Sequence, residues 1–398
     1  MVDIGRSGRI IAVVAVVGAL VAASDAIAVR RYTRTGDGLP GGSGWRTTPS
    51  VACRNVMGRR DVFGELSGIT ATGPRDAWAA GYCGTTGAPG VWGTYVGLIE
   101  HWNGRRWLRV PTPQAQSYTS VVAVSPRDAW ATAGPSHAPG ISPPAAIHWD
   151  GHRWSPAADG LPRNAAFEAL AVTSSGVWGV ADTGDASSPF LVRRQAGSWS
   201  RVTVPGPPMG DLDYSSAMGV DPAGGLWLGL QGTADRAEIA HYQDGRWALL
   251  PVPRSRRYSD LTAVAVTSDG TCTVTTEEYD SQEDASHRTR VRAWDGRRWT
   301  RRSTPTGFDI DKATSDGHGG LWLWSSDGHS LIRGDSRHWT GAPQPLRGAT
   351  TKNGETLTAE VPGTSALWNV GADHFRTVPR STFPFSAWGQ PVIKAFRP

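Results

Sequence analysis

Lysine is scarce in this sequence. Only Lys312, Lys352 and Lys394 occur among 40 basic residues in 398, and the formal net charge is +5. A nucleic-acid interface requires basic residues that cluster on one face, and arginine richness with so little lysine is at least as typical of a compositional bias of the genome. We interpret the charge as a contribution to solubility and predict no nucleic-acid partner.

Recognisable catalytic and cofactor motifs are also missing. The sequence has no nucleophile motif, no glycine-rich phosphate-binding loop and no cluster of residues with zinc-ligand spacing. Its Gly-Asp and Asp-Gly pairs are explained by turn chemistry. We therefore predict no catalytic residues, no cofactor and no metal site.

Cysteine is rare, with three residues in the chain. Cys53 and Cys83 flank the first of the repeats described below, and they are the pair that we expect to form a disulfide in an oxidising compartment. Cys272 stands where our alignment places tryptophan in other repeats, which predicts a buried, inert thiol.

An apolar run near the N-terminus predicts export. Arg6 and Arg9 precede the apolar residues 10–23, and Ala26-Ile27-Ala28 has the small-x-small pattern at which signal peptidases cut. This predicts a signal peptide over residues 1–28, a flexible mature N-terminus over residues 29–44 and a secreted protein. The alternative is an uncleaved helix that anchors the protein in the membrane at the cell surface, because the run up to Val29 could just cross a bilayer.

Tryptophan is abundant and marks a repeat. The chain has 19 tryptophans, and in the first of two alternating motifs a turn leads into a strand that opens with tryptophan. The copies are Pro74-Arg75-Asp76-Ala77-Trp78, Pro126-Arg127-Asp128-Ala129-Trp130, Ser175-Gly176-Val177-Trp178, Gly224-Gly225-Leu226-Trp227 and Gly319-Gly320-Leu321-Trp322. The fifth repeat has Cys272 at this position, and the last repeat is degraded to Glu355-Thr356-Leu357.

The second motif is a tight hairpin between two aromatic residues. Its best copies are Trp102-Asn103-Gly104-Arg105-Arg106-Trp107, Trp149-Asp150-Gly151-His152-Arg153-Trp154, Tyr242-Gln243-Asp244-Gly245-Arg246-Trp247 and Trp294-Asp295-Gly296-Arg297-Arg298-Trp299. Asn-Gly and Asp-Gly tolerate the positive φ of type I′ turns, so the motif predicts β-hairpins.

These repeats predict an all-β fold, a single β-propeller over residues 45–398. Each repeat contains four strands, which in the first repeat are residues 66–72, 77–82, 96–102 and 106–111. A period of roughly 40–50 residues indicates a propeller. In a propeller, small and β-branched residues of the first strand line the channel, and tryptophans fill the space between blades. Seven complete repeats predict seven four-stranded blades.

The two ends of the chain leave an alternative open. Trp45-Arg46-Thr47-Thr48-Pro49 is a further copy of the fourth-strand pattern and could join the ring where the ends meet. The pattern around Phe375, however, already supplies a fourth strand to the last repeat. The alternative is therefore an eight-bladed ring with one incomplete blade that uses Ala387-Trp388-Gly389.

The repeated strings Asp-Ala-Trp-Ala and Ile-x-His-Trp-Asn-Gly-x-x-Trp-x-x-x-Pro resemble the Trp-rich propeller repeats common in exported actinobacterial proteins, from Leu66 to Pro379. The resemblance implies the propeller fold and export but no catalytic residue, since those proteins generally lack an assigned activity. The pattern is more remotely similar to kelch and Asp-box propellers, which include galactose oxidase-like enzymes and sialidases. Here Asp and Gly are adjacent, unlike in an Asp-box, and we find no copper ligand set of two Tyr and two His.

The long connections between second and third strands are the best candidates for a binding face, since loops carry function disproportionately. They are residues 84–95, 134–144, 183–189 and 277–289. Trp92 and Tyr95 lie outside the repeat and either form an exposed aromatic platform or fold back to cap the edge of the propeller.

Charged residues concentrate in the fifth repeat. Arginines lead into it, and acidic residues fill its long connection, so the two groups either bind a polar ligand or compensate each other in solvent. These residues are Arg254, Arg256, Arg257, Glu277, Glu278, Asp280, Glu283 and Asp284. Arg288, Arg290 and Arg292 alternate on one side of a strand, where they either extend along the blade surface or neutralise the acidic loop.

The candidate ligand-binding residues are Trp92, Tyr95, Arg256, Arg257, Tyr258, Glu278 and Asp280. His101, His148 and His241 occupy equivalent repeat positions, but such positions point to different places around a ring, so we expect no shared metal ion.

Together these features favour an exported, noncatalytic propeller that binds a glycan, a cell-wall component or a protein partner through its long connections. The alternative is an extracellular polysaccharide hydrolase or lyase, because a propeller face could bring two carboxylates together.

Overall fold

The computed structural model describes residues 39, 44–60, 62–85, 93–113, 115, 117–134, 145–183, 188–207, 209, 212, 217–232, 236–281, 288–303, 309–316, 318–325, 331–334, 339–342, 357–377 and 387–397. No helix in these parts of the chain is long and apolar enough to cross a membrane. The predicted signal peptide lies outside the described residues.

The protein is a seven-bladed β-propeller, and each blade is an antiparallel sheet of four strands. Blades one and two comprise β2 (Val62–Gly73), β3 (Asp76–Thr85), β4 (Tyr95–Trp102), β5 (Trp107–Arg109) and β6 (Tyr118–Ser125), β7 (Asp128–Ala133), β8 (Ala146–Trp149), β9 (Trp154–Pro156). Blades three and four comprise β10 (Ala166–Thr173), β11 (Gly176–Asp182), β12 (Phe190–Gln195), β13 (Ser198–Arg201) and β14 (Met218–Val220), β15 (Leu226–Gly232), β16 (Arg236–Gln243), β17 (Arg246–Pro251).

Blades five and six comprise β18 (Tyr258–Val266), β19 (Cys272–Tyr279), β20 (Arg288–Trp294), β21 (Trp299–Arg302) and β22 (Ile310–Ser315), β23 (Leu321–Ser325), β24 (Leu331–Gly334), β25 (Trp339–Ala342). Blade seven comprises β26 (Leu357–Glu360), β27 (Leu367–Thr377), β28 (Ala387–Arg397) and the N-terminal β1 (Gly44–Thr48). First strands of neighbouring blades contact one another around the ring, so they surround its axis, as the sequence predicts.

The Asn-Gly and Asp-Gly pairs form the turns between third and fourth strands. In blade one, the side-chain oxygen of Asn103 accepts hydrogen bonds from the N–H groups two and three residues later, at 3.0 and 3.1 Å, and Gly104 has a φ of 81°. The Asp-Gly turns of blades two and five make the same bonds. Among the described hairpins, two positive φ values in succession, as in a type I′ turn, occur at Asp244-Gly245 and Ala196-Gly197.

Aromatic rings fill the space between neighbouring blades, which confirms the expected place of the tryptophans. The tryptophan of the second strand packs on aromatic residues of the next blade. Examples, with ring-centroid distances, are Trp78 to Trp154 (5.3 Å), Trp130 to Trp199 (5.9 Å), Trp178 to Tyr242 (4.9 Å), Trp322 to Phe396 (5.0 Å) and Trp368 to Trp102 (5.2 Å). Each such pair buries a large apolar area, so these contacts hold adjacent blades together.

A basic side chain of the third strand covers this tryptophan in five blades. His101, His148 and His241 stack on the indole of their own blade with centroid distances of 4.1, 4.2 and 3.8 Å. The guanidinium carbons of Arg193 and Arg333 lie 5.0 and 5.5 Å from the corresponding centroids. The repeated histidines therefore make contacts within their own blades.

In blade four, an acidic residue in the turn before the second strand binds both the tryptophan and the histidine that stacks on it. The carboxylate of Asp221 accepts hydrogen bonds from the backbone N–H of Gly225 (2.8 Å), from Trp227 Nε1 (2.9 Å) and from His241 Nε2 (3.1 Å). Burial raises the pKa of Asp221, but these hydrogen bonds together outweigh burial, so the pKa lies below its usual value. The turn acid thus stays charged and orients the tryptophan.

The strand register corrects two assignments of the repeat. The tryptophan position of the second strand lies opposite the residue just before the hairpin tryptophan. This position holds Trp78 in blade one but Thr273 in blade five. Cys272 occupies the preceding position, which holds Ala77 in blade one and Leu226 in blade four, and it is buried there as the sequence predicts. Burial first, and the charge of Asp221 second, raise the pKa of its thiol. In blade seven, Trp368 rather than Leu357 stands at the tryptophan position.

The N-terminal strand closes the ring. β1 pairs with β28 from Gly44 opposite Arg397 to Thr48 opposite Ile393, and Trp45 packs on Phe396 with ring centroids 5.0 Å apart. The residues around Phe375 continue β27 and form no fourth strand, and residues 387–389 begin the third strand, so the eight-bladed alternative is wrong. Sequence pattern could not decide this point because the closing pair joins opposite ends of the chain.

A disulfide and a buried carboxyl hold the segment that follows β1. Cys53, in the short helix α1 (Cys53–Met57), is bonded to Cys83 in β3, with the Cα atoms 5.4 Å apart. The side chain of Glu100 has no exposed surface, and its oxygens accept hydrogen bonds from Ser50 Oγ (2.6 Å) and the N–H of Val51 (3.1 Å). Blade one thus binds the chain immediately after β1 through the disulfide and through the hydrogen bonds to Glu100.

The titration of Glu100 should appear in the pH dependence of stability. Burial raises the pKa of Glu100 from its usual 4.5 to about 7, although the bonds from Ser50 and Val51 lower it. Between these values the folded protein binds the proton more tightly than the unfolded chain, so the free energy of unfolding falls as pH rises. Relative to Glu100→Gln, the wild type should lose on the order of 3 kcal/mol over this window.

This loss of stability relative to the Gln variant is measured by urea denaturation of both proteins. The pH values of 4.5, 5.5, 6.5 and 7.5 bracket the raised pKa of Glu100. The Gln variant serves as its own control, because all other titrating groups are common to the two proteins. Parallel pH profiles would show that the carboxyl of Glu100 does not titrate in this range.

Candidate functional site

In each blade the antiparallel strands place the end of the second strand and the start of the third strand at the same end as the linkers to neighbouring blades. The linker between β17 and β18 meets the connection between β19 and β20, since Arg256 Nη1 lies 3.7 Å from Asp280 Oδ2. We call this end the long-loop face. Arg256 and Asp280, one from each charged segment of blade five, lie on it as the sequence predicts, whereas Glu283 and Asp284 lie outside the described residues.

Five side chains on the long-loop face form what we call the blade-five site: Arg256, Arg257, Tyr258, Tyr279 and Asp280. The rings of Tyr258 and Tyr279 stack, with centroids 5.5 Å apart and an interplanar angle of 19°. The guanidinium carbon of Arg257 lies 5.2 Å from the Tyr258 centroid. Side-chain exposure is 66% for Asp280 but 14% for Arg256, so the site offers a solvated carboxylate beside a half-buried aromatic stack.

Neighbouring polar groups fix the orientation of the stack. Tyr279 Oη donates a hydrogen bond of 2.6 Å to Asp260 Oδ2. The other oxygen of this carboxylate accepts a bond of 3.0 Å from Gln231 Nε2 of blade four. The position of the Tyr279 ring is therefore set from two blades at once.

Glu278 is a buried residue beside the site. The prediction that it lies in a loop is wrong. Glu277 and Glu278 belong to β19, and the side chain of Glu278 is fully buried. It accepts a hydrogen bond of 3.0 Å from the N–H of Ser255 and further bonds from the Ser255 hydroxyl and from Arg292 Nη2. Because strand residues alternate between faces, Glu278 points between the blades and anchors the linker that carries Arg256, Arg257 and Tyr258.

Arg290 and Arg292 neutralise this buried carboxylate. Arg292 is itself buried, and it also donates a bond of 3.1 Å to the hydroxyl of Thr276. Arg290 Nε lies 3.9 Å from Glu278 Oε2, and burial together with the neighbouring Arg301 lowers the pKa of Arg290. The ion pairs of β20 thus serve to hold Glu278, and the removal of one partner would leave a buried charge.

Tyr95 lies in a second aromatic group, in blade one. Its ring packs against Phe63 and Tyr82, with centroid distances of 5.9 and 5.8 Å, and 37% of Tyr95 remains exposed. The ring therefore covers the edge of blade one while it keeps a solvent-facing surface. Trp92, the other aromatic candidate, lies outside the described residues.

Sequence reasoning missed Tyr279 and Asp260. Tyr279 follows two glutamates that read as loop residues, although its β19 register opposite Tyr258 brings the rings together. Pairing the two strands residue by residue would have revealed the contact. Within the described residues, no group of three or more histidine, cysteine, aspartate or glutamate side chains is placed to hold a metal ion.

Comparison with known proteins supports the fold and leaves the ligand open. No protein-family model and no curated protein matches the sequence. The structure is similar to that of the polysaccharide lyase Uly1, with a TM-score of 0.53 and 8% identity over 83% of this chain and 89% of that chain. The propeller domain of the Trilobed protease from Pyrococcus furiosus has a TM-score of 0.47 and 10% identity over 83% and 93% of the two chains.

YCF48 bound to D1 peptide has a TM-score of 0.45 and 12% identity over 90% of this chain and 99% of that chain. At 8% identity the likeness to Uly1 concerns the fold alone.

Proposed function

We propose that the protein is an exported, noncatalytic recognition propeller that binds a glycan through the blade-five site. The observation that carries the proposal is the stacked pair of Tyr258 and Tyr279, flanked by Arg257 and Asp280 on the long-loop face. Aromatic rings offer apolar surface to the C–H faces of a sugar ring, while guanidinium and carboxylate groups bind its hydroxyls. A hydroxyl-rich ring needs this combination.

The rigidity of the site favours binding. Glu278 holds the linker through Ser255, and Asp260 holds Tyr279. Side chains that are already fixed lose little conformational entropy when a ligand arrives, which improves affinity for a given contact area. A carbohydrate ligand with many weak contacts gains most from such a preformed surface.

Export rests on the sequence. Residues 1–28 have the pattern of a signal peptide, and a disulfide such as Cys53–Cys83 suits an oxidising compartment. The resemblance of the repeats to exported Trp-rich actinobacterial propellers points the same way. N-terminal sequencing of the exported protein should find Val29 first; a chain that retains its first residues would support the membrane-anchored alternative.

A glycan and cell-wall polysaccharide array, with the chain beginning at Val29 as the probe, tests the proposed ligand class. We expect retention on at least one glycan without release of reducing ends. Tyr258→Ala should weaken that binding by at least about tenfold, because central aromatic residues dominate binding energy. Arg298→Ala is the matched control, since Arg298 lies on a hairpin turn of the same blade and is 81% exposed.

Each other outcome contradicts a stated part of the proposal. Release of reducing ends would favour the hydrolase or lyase alternative. Binding that survives Tyr258→Ala but not Tyr95→Ala would move the site to blade one. No retention on any glycan would exclude the glycan class and favour a protein partner.

A further inference from the structure

At three described positions of the interface between blades five and six, a small residue stands where most other blades carry a large side chain. Thr273 stands at the tryptophan position of the second strand. Ala293 stands opposite it, where five other blades carry the stacking histidine or arginine and blade seven carries Ala395. In blade six, Gly334 pairs with Trp339 as Trp102 pairs with Trp107 in blade one. Within the described residues, small side chains at this one place thus replace the indole of the second strand, the cation found in five other blades and a hairpin aromatic residue.

A cleft opens where these groups are missing. Its volume is about 100 Å³, and its walls come from both blades. The lining includes Thr267, Asp269, Thr271, Thr273, Arg302 and Trp339. Because Thr267, Asp269 and Thr271 surround the turn between the first and second strands, the cleft lies at the end of the blades opposite the long-loop face.

The lining retains the polar groups that blades three and four offer to their indole N–H. In blade four the indole N–H donates to a turn carboxylate at 2.9 Å, and in blade three it donates to the Thr173 hydroxyl at 2.9 Å. In blade five the turn supplies both groups. Thr267 Oγ1 and the N–H of Thr271 bind Asp269 Oδ1 at 2.5 and 3.0 Å, while Asp269 Oδ2 is directed toward Gly319 on the opposite wall.

The electrostatics of the cleft also suit an aromatic ring. Burial raises the pKa of Asp269, but hydrogen bonds from Thr267 and Thr271 lower it below its usual value overall, so a carboxylate acceptor is present at neutral pH. Arg302 can supply the cation that Arg193 and Arg333 place over tryptophans elsewhere in the ring. Trp339 adds an aromatic wall, and its own Nε1 is already bound to the Ser303 carbonyl at 2.6 Å.

We propose that this cleft binds a planar aromatic ring with a ring N–H, an indole-like group that takes the place of the missing tryptophan. At about 100 Å³ the cleft is smaller than the roughly 150 Å³ cavity that encloses benzene, so an indole-like ring would enter it only in part and leave its other edge in solvent. The ring N–H would donate to Asp269, and Arg302 would lie against its face. The group could belong to a free small molecule or to a peptide side chain, which share this chemistry.

Ligand-observed NMR with indole and with N-acetyl-tryptophanamide tests the proposal. A ligand of this size should bind wild type with a Kd of about 1 mM. Thr273→Trp, which restores the indole of the repeat, should weaken binding at least tenfold. Tyr258→Ala, at the opposite end of the same blade, is the control that should leave indole binding unchanged. The control also separates this cleft from the proposed glycan site.

The outcomes divide cleanly. Saturable binding of indole alone identifies a small-molecule site, and binding of both probes identifies a site for a peptide side chain. Absence of saturable binding at millimolar probe, or binding that Thr273→Trp leaves intact, would overturn the proposal. If Thr273→Trp fails to fold by circular dichroism, Gly334→Tyr fills the cleft from blade six and should abolish binding in the same way.

Discussion

Replacement of Trp178 by alanine is expected to lower the free energy of unfolding by about 3 to 5 kcal/mol. The indole has no exposed surface, and its Nε1 donates a 2.9 Å hydrogen bond to Thr173 Oγ1. It packs on Tyr242 of the next blade at 4.9 Å, and Arg193 lies 5.0 Å from its centroid. The substitution therefore leaves a cavity at a blade interface and also removes the nearer of the two aromatic rings beside Arg193.

Guanidinium denaturation followed by circular dichroism measures this loss. Leu249→Ala is a suitable control, because Leu249 is an exposed apolar residue of blade four and its truncation should change the free energy of unfolding by about 0.5 kcal/mol or less. A loss below about 1 kcal/mol for Trp178→Ala would mean that the aromatic contacts do not hold blades three and four together.

Loss of the disulfide should have an effect of similar size. Replacement of both Cys53 and Cys83 by alanine is expected to cost about 3 to 4 kcal/mol, because a cross-link across 30 residues restricts the unfolded chain. Chemical denaturation of the double variant and of wild type, each with and without reductant, gives the value. Cys272 is a single buried thiol in both proteins, so it serves as a constant background.

Reductant should bring the wild type to the stability of the double variant and leave the variant unchanged. Equal midpoints for oxidised and reduced wild type would show that the disulfide does not contribute to stability. A variant much less stable than reduced wild type would instead point to lost side-chain packing around Gly64, which lies against Cys53 Sγ.

The repeat pattern predicted most of the fold because its signals are local. The spacing of the tryptophans and of the Asn-Gly and Asp-Gly turns places strands that lie within one blade. In blade seven the predicted fourth strand around Phe375 was wrong, because the Trp45 segment joins the ring instead: β1 pairs with β28, and Thr48 Oγ1 binds the Ile393 carbonyl across 345 residues. The predicted burial of Cys272 is confirmed, but its alignment with the tryptophan position was wrong by one residue, and such a shift moves a strand side chain to the opposite face.

The blade-five site was predictable only in part, because the sequence shows which segments are charged but does not show the register of a strand. Arg256 and Asp280 have complementary charges on two connections that the topology brings together, and their proximity is a finding of the structure. Glu278 reads like its exposed neighbours, yet it is buried, since only the register of β19 decides which face of the strand it occupies. The same register places Tyr279 opposite Tyr258 and so brings Tyr279 into the site.

The closure of the ring by β1 has a consequence for the order of folding events. The N-terminal member of this strand pair is synthesised before every blade, whereas its partner β28 is synthesised last. Both edges must therefore remain unpaired until the chain is complete, and unpaired edges are where strands of different molecules associate. The bond between Cys53 and Cys83 can form as soon as blade one exists. It would then keep β1 beside blade one and shorten its search for β28, so that the final docking step competes better with aggregation.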